Sequence, residues 1–268
     1  MKVGLILHPR PRSLAFAREF SAAAGAAGLT LVGSDDLRLA GIAAEEGDPE
    51  IMVAIGGDGT TLSAVRRAIE ADVPVIGFNL GTLGFLAQAE PSDLREVVER
   101  IASGVIEVEE RMTVQARLDD GTPATGVNDV VTEKIESQRL VDLEAFIDGS
   151  RFLTYRADGL VVSTPTGSTA YNFSAGGPLV DPKLDVLLLT PVAAHSLFSR
   201  TIVVPADNVL ELRVLGERPV RVSVDGREVG GLEGNQRVTV QRGVRPARFM
   251  VLRGRPFPET VTEKFHLI

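Results

Sequence analysis

Between an apolar run and a helical pattern, the chain reads Ile55-Gly56-Gly57-Asp58-Gly59-Thr60-Thr61. One carboxylate thus stands among residues that carry almost no side chain. Glycines at the C-terminal end of a parallel strand let backbone approach a ligand closely, and the following helix start offers free N–H groups and a partial positive charge. Gly56, Gly57, Gly59 and Thr60 are therefore predicted to receive phosphate oxygens. The stretch is not a Walker A loop, because no Gly-Lys pair occurs in the chain. It is not a full dinucleotide fingerprint either, since Leu62 stands where the third glycine would be. A pure phosphate cradle has no use for Asp58, whose charge repels phosphate. A carboxylate belongs there if it orients an attacking hydroxyl and takes its proton, or helps to hold a divalent cation. Taken alone, Gly-Asp-Gly reads more simply as a tight turn with an aspartate cap.

A second stretch has matching chemistry. Residues 161–182 place Thr164, Thr166, Ser168, Thr169 and Ser174 among three glycines, around one of only two tyrosines. Hydroxyls and bare backbone can read a ribose or a base edge, and the Tyr171 ring can lie against a purine. Other polar groups carry less. Asn128-Asp129 by itself reads as a turn pair, and Arg156 with Asp158 as a surface ion pair. His195-Ser196 lacks the Gly-x-Ser-x-Gly elbow of a hydrolase, so His195 reads as a packed or hydrogen-bonded structural residue. The three histidines are far apart and no His-Glu-x-x-His occurs, which argues against a histidine-built zinc site.

Composition narrows the partners. The net charge of −8 argues against broad binding to nucleic acid or an anionic membrane. No apolar run approaches the ~20 residues that span a bilayer, and the apolar part of the N-terminus is too short for a signal peptide. A soluble, cytoplasmic protein is expected. The absence of cysteine rules out disulfides, thiolate metal sites and a cysteine nucleophile.

The elements that must position these residues follow from periodicity. Strands are predicted at 2–8, 49–57 and 73–81, and helices at 13–28, 60–71 and 91–104. In the last helix Asp93 can cap, Glu96 can close a capping box, and Gly104 can end it. Strand–helix alternation implies a parallel sheet. From about residue 110 the pattern becomes alternating, at 111–118, 140–149, 219–226 and 236–242. Turn residues recur at Asp119-Asp120-Gly121, Asp148-Gly149, Asp225-Gly226 and Arg242-Gly243. The predicted architecture is an α/β N-terminal domain over 1–108 with a parallel sheet, then an all-β, sandwich-type C-terminal domain over 109–254. The tail, 255–268, is expected to return to the first domain.

Together these segments resemble the NAD kinase family. The matching residues are Gly56 to Thr60, Phe78 to Leu86, Val127 to Val131, Arg156 to Val180 and Thr190 to Pro205, in family order and over nearly the whole chain. Gly-Gly-Asp-Gly-Thr is shared with diacylglycerol-type lipid kinases and phosphofructokinases, whereas the block beginning at Arg156 is specific. The resemblance implies transfer of the γ-phosphoryl of ATP (or polyphosphate) to the 2′-hydroxyl of the adenosine ribose of NAD, giving NADP. A divalent cation, Mg²⁺, would be held mainly by the ATP phosphates, with Asp58 an optional ligand. Asp58 falls at the proton acceptor, with Gly59 beside it at the NAD. Asn128 and Asp129 fall at an NAD-binding Asn-acidic pair, where Asp shortens the reach of the more frequent Glu. Arg139, Arg156, Asp158, Thr169, Ala170, Tyr171, Asn172, Phe173, Ser174 and Ala193 fall at NAD-contact positions, and Arg227 on the subunit-contact side of the site.

The implied fold has an α/β domain and a β-sandwich with the site between them, often completed by a neighbouring subunit of a homodimer or homotetramer. Four positions depart from the family pattern: Thr82 for His or Asn, Ala194 and Thr201 for Pro, and Arg227 for Gln. A lipid kinase would need an apolar cleft or a membrane-binding surface. A non-catalytic NADP-binding sensor would not need Asp58.

Overall fold

In the computed structural model all residues are described except Ser34, Thr82, Leu83, Asp120, Thr122, Arg255 and Ile268. The Thr82 departure and the Asp120 turn position therefore lie outside the described residues. The chain begins β1 (Lys2–Leu7), α1 (Pro11–Ala26), β2 (Thr30–Val32), α2 (Asp35–Leu39), β3 (Ile51–Gly56), α3 (Asp58–Ala71), β4 (Val75–Asn79), α4 (Leu94–Ser103) and β5 (Val108–Arg111). Pro11 starts α1 because its missing N–H costs nothing at a helix N-terminus. Phe16 and Phe20 of α1 then meet Phe78 of β4 edge-on, at 5.1 and 6.0 Å between ring centroids. In α3, Thr60, Thr61, Ala64, Val65 and Ala68 form the buried stripe.

The start of α4 differs from the sequence expectation. A 3-10 turn at Pro91–Asp93 precedes it, and the capping box is formed by Glu90 with Asp93. Pro91 fixes the backbone three residues early, so Asp93 closes the box rather than opening it: the Glu90 N–H donates to Asp93 Oδ2 at 2.9 Å. Glu96 instead pairs with Arg100 at 2.8 Å. Gly104 ends the helix at φ 70°, as its position predicted.

The middle of the chain is almost all strand: β6 (Val114–Leu118), β7 (Ala124–Gly126), β8 (Asp129–Lys134), β9 (Val141–Ile147), β10 (Ser150–Ala157), β11 (Gly159–Ser163), a one-turn α5 (Tyr171–Ser174), β12 (Val186–Val192), β13 (Ile202–Pro205), β14 (Leu210–Leu215), β15 (Val220–Val224), β16 (Arg227–Leu232) and β17 (Arg237–Arg242). These make two antiparallel sheets, in the orders β10-β9-β14-β17-β6-β7 and β13-β12-β11-β8-β15-β16. Alternating Leu, Val and Ala side chains from both sheets, such as Leu143, Ala145, Leu160, Val162, Leu212 and Val222, fill the core. At Asp148-Gly149 and Asp225-Gly226 both residues have positive φ, 50° and 74° in the first pair and 48° and 73° in the second. That is the paired left-handed geometry that lets two-residue turns follow the twist of a hairpin.

The chain ends with β18 (Ala247–Met250) and α6 (Phe257–Lys264). The first sheet has the order β2-β1-β3-β4-β18-β5, with β2, β1, β3, β4 and β18 parallel. Two compact units result, residues 1–110 with 247–268, and residues 111–246. The divisions fall near 110 and 246, against 108 and 254 in the sequence reading, because β5 and β18 both belong to the first sheet.

Candidate functional site

Strand order reverses at β1, which has β2 on one side and β3 on the other. Ligands of open parallel sheets bind outside the carboxyl ends of the strands at such a switch. The carboxyl ends there are Leu7-His8 and Gly56-Gly57, tied by the His8 N–H donating to Ile55 O at 3.0 Å. The glycines of the turn divide by cause. At Gly56 a Cβ would overlap Thr60 Oγ1 and approach His8 Cβ to 3.1 Å, so internal packing demands glycine. At Gly57 and Gly59 a Cβ would meet nothing within 4 Å, and neither backbone is left-handed. Among the described residues no atom gives a reason for glycine at these two positions, whereas a ligand lying against the backbone would.

Asp58 does not cap its helix. Gly57 is the N-cap, and no side chain caps α3. The half-buried carboxylate instead accepts from the Phe85 N–H at 2.9 Å and the Leu86 N–H at 3.2 Å. A Cβ at Gly84 would overlap it, so the 84–86 segment passes directly over the carboxylate. Two of its four lone-pair positions are taken. The others can accept a hydroxyl proton or bind a cation. Among the described residues no group of three or more His, Asp or Glu could hold a metal. A Mg²⁺ here would need phosphate oxygens and water for most of its shell, which is how it usually binds beside nucleotides.

In the second unit, Asn128-Asp129 opens β8. Its backbone is held by a residue 97 positions later in sequence: the Asp225 carboxylate accepts from the N–H groups of Val127, Asn128 and Asp129 at 2.9, 2.8 and 3.2 Å. Asp225 returns its own N–H to Asp129 O at 3.0 Å. Asn128 O also accepts from the Thr164 N–H at 2.9 Å, and Gly167 has no room for a Cβ against Asn128 backbone. The structure thus knots together 126–129, 163–169 and the β15–β16 turn.

Asp129 is buried, and desolvation together with the Asp225 charge pushes its carboxyl up to about 7. The Tyr171 hydroxyl is likewise raised by desolvation, with Glu133, Asp158 and Asp129 adding to the effect. Asp129 and Asp158 are thus each within electrostatic range of Tyr171, and Lys134 pairs with Asp158. Thr169 donates its hydroxyl to Thr166 O at 3.2 Å, while the buried Thr166 Oγ1 has no partner among the described residues.

Not every predicted site side chain is available. Asn172 is fully buried, with Nδ2 donating to Ser168 O and Pro178 O and Oδ1 accepting from Thr190 Oγ1. Its amide frames the loop. Ala170 is half-buried, while Phe173, Ser174, Arg156 and Arg227 are exposed. Ala193 is exposed with a left-handed φ of 47°, unusual for alanine. Arg139 lies on the exposed β8–β9 connection and pairs with Glu136. His195 is exposed rather than packed, and its backbone N–H donates to Arg156 O at 2.7 Å. Sequence reasoning missed Asp225, Lys134, Glu133 and Phe85 as contributors. The Asp-Gly signal for Asp225 was visible, but only as a turn.

Comparison with known proteins identifies the family and the fold. Residues 7–106 match the ATP-NAD kinase N-terminal domain and residues 127–252 the ATP-NAD kinase C-terminal domain. The chain is 42% identical to an NAD kinase of Moorella thermoacetica over 222 residues, covering 80% of this chain and 70% of that one. It is 40% identical to NAD kinase 2 of Streptomyces coelicolor over 223 residues, covering 81% and 74%. Its fold matches yeast NADH kinase complexed with NADH at a TM-score of 0.90 and 24% identity, over 99% of this chain and 87% of that one. It also matches an NAD kinase from Archaeoglobus fulgidus in complex with ATP at 0.76 and 22% identity, over 100% and 97%.

Proposed function

The chain belongs to the NAD kinase family, and on that premise we propose that Asp58 takes the 2′-hydroxyl proton of the adenosine ribose of NAD as that oxygen attacks the γ-phosphorus of ATP or polyphosphate. The O2′–P bond forms, the bond to the leaving phosphate breaks, and NADP and the shortened donor depart. The observation that carries this reading is the Asp58 carboxylate, held by two backbone N–H groups at the sheet's switch point between two glycines that no contact among the described residues requires. Bare backbone at Gly57 and Gly59 and the start of α3 would take phosphate oxygens, with Gly56 and Thr60 shaping the turn. A bound Mg²⁺ would offset phosphate charge.

Recognition of NAD falls to Asn128, Asp129, Asp158 and the Thr169–Ser174 segment, with Tyr171 stacking and Asn172 holding the loop's shape. Arg139, Arg156, Ala193 and Arg227 complete the assignment. A homodimer or homotetramer working in the cytoplasm fits the reading. No described helix is long and apolar enough to cross a membrane.

The test incubates the protein with ATP, Mg²⁺ and NAD and assays the product with a strictly NADP-dependent dehydrogenase. Asp58→Asn should lower kcat by at least about 10²- to 10⁴-fold, the usual worth of a general base. Full kcat in that variant would remove Asp58 from the role. Activity on diacylglycerol in place of NAD would favour a lipid kinase. NADP binding without turnover in the unaltered protein would favour a sensor.

A further inference from the structure

We propose that the C-terminal helix positions Asp58 through Phe85, a role that rests on Asp58 being the base. The Asp58 carboxylate owes its two N–H donors to Phe85 and Leu86, so its placement depends on where that loop lies. The absence of a side chain at Gly84 lets the loop reach the carboxylate but does not hold it there. The half-buried Phe85 ring is one of the loop's holds on the rest of the unit, beside the buried Leu86 side chain. Phe265, directly after α6, meets it at 6.0 Å between ring centroids and 50° between planes. Lys264 Nζ lies 5.8 Å from the same centroid, within reach of a cation–π contact.

Helix α6 itself has no fully buried residue, so it adds little to the core. A segment without a fully buried residue thus leads directly into contact with the residue whose N–H orients the carboxylate. Phe85 and Phe265 are positioning residues. Removing the Phe265 ring frees the Phe85 ring, loosens the loop, and lets the carboxylate leave the line of the attacking oxygen. General-base chemistry is sensitive to such slack, since misplacement by ~1 Å costs about 10²-fold.

The decisive experiment is a double-mutant cycle in the full chain. Phe265→Ala should lower kcat about 10-fold, a partial form of the ~1 Å penalty because the loop stays attached at both ends. KM for NAD and ATP should stay within about twofold and the melting temperature near that of the parent, since the side chain removed is not part of the buried core. Phe265→Tyr, which keeps the ring, should retain kcat. Phe85→Leu should reproduce the loss, and the two losses should not add. In an Asp58→Asn background Phe265→Ala should cost nothing further.

An equal loss in that background, an effect on KM alone, or unchanged kcat in both Phe265→Ala and Phe85→Leu would overturn the proposal. Amide exchange at Phe85 and Leu86 should quicken in Phe265→Ala, and unchanged exchange would also overturn it. If Asp58→Asn keeps full turnover while that exchange still quickens, the base assignment has failed and the helix–loop contact stands.

Discussion

At Gly59, stability and turnover should part ways. The position lies in the first turn of α3, has no left-handed backbone, and would give a Cβ open space. Alanine there should stabilise the helix by up to about 1 kcal/mol, while kcat/KM falls because the methyl group stands where a phosphate would approach. Gly56→Ala should do the opposite: overlap with Thr60 lowers the melting temperature outright. Thermal melts beside steady-state kinetics separate the two. Asp129 offers a pH test. Its carboxyl is raised from 3.8 to about 7 in the folded chain by burial and by Asp225. Between those values the folded protein keeps a proton that the unfolded chain releases, so stability falls as pH rises from about 4 to about 7 and then levels. Asp129→Asn should erase that slope and melt higher than the parent at pH 8, while weakening NAD binding. Tyr155 is simpler. Its hydroxyl is buried without a partner among the described residues, and desolvation pushes its pKa up to about 12. Tyr155→Phe should raise stability by about 1–3 kcal/mol, the cost of burying an unpaired hydroxyl.

Among the elements, the β15–β16 turn does more than reverse the chain. Asp225 satisfies three N–H groups of 127–129, so Asp225→Ala should cost about 1–3 kcal/mol of stability for stranded donors. The same change should raise the Kd for NAD by loosening Asn128 and Asp129, as isothermal titration would show. The hairpin was legible because Asp-Gly between alternating strands has a local cause. Its second task was not, because its partners lie about a hundred residues away and no spacing rule links them. The same holds for Phe85, which stands in a matching block yet meets Asp58 through a backbone N–H that any residue but proline supplies and meets Phe265 across a long gap in sequence. The α/β alternation and the glycine turn were readable for the converse reason: burial period and bare backbone leave their marks within one short window. The capping box was misplaced by three residues because Pro91 outranked the Asp93–Glu96 spacing.

For the molecule as a whole, the two units differ in how the chain builds them. Residues 111–246 are continuous and enclose their own core of two antiparallel sheets. Cut out as a fragment, they should melt cooperatively. Residues 1–110 should not, because β18 fills the place between β4 and β5 in the first sheet. Calorimetry on the two fragments checks this. The return of β18 was the feature least visible beforehand, since residues 247–250 resemble one more sandwich strand and their neighbour β4 lies far upstream.

That late strand also sets a timetable for biosynthesis. A nascent polypeptide leaves the ribosome with β4 lacking its eventual neighbour, and the whole intervening unit must be translated before the gap can close. At roughly 5–20 residues per second this is a wait on the order of ten seconds. During that interval an apolar, hydrogen-bond-hungry sheet margin stays open, a natural client for chaperones. The acid that would carry the chemistry gains its complete scaffold only after residues 247–250 have been made.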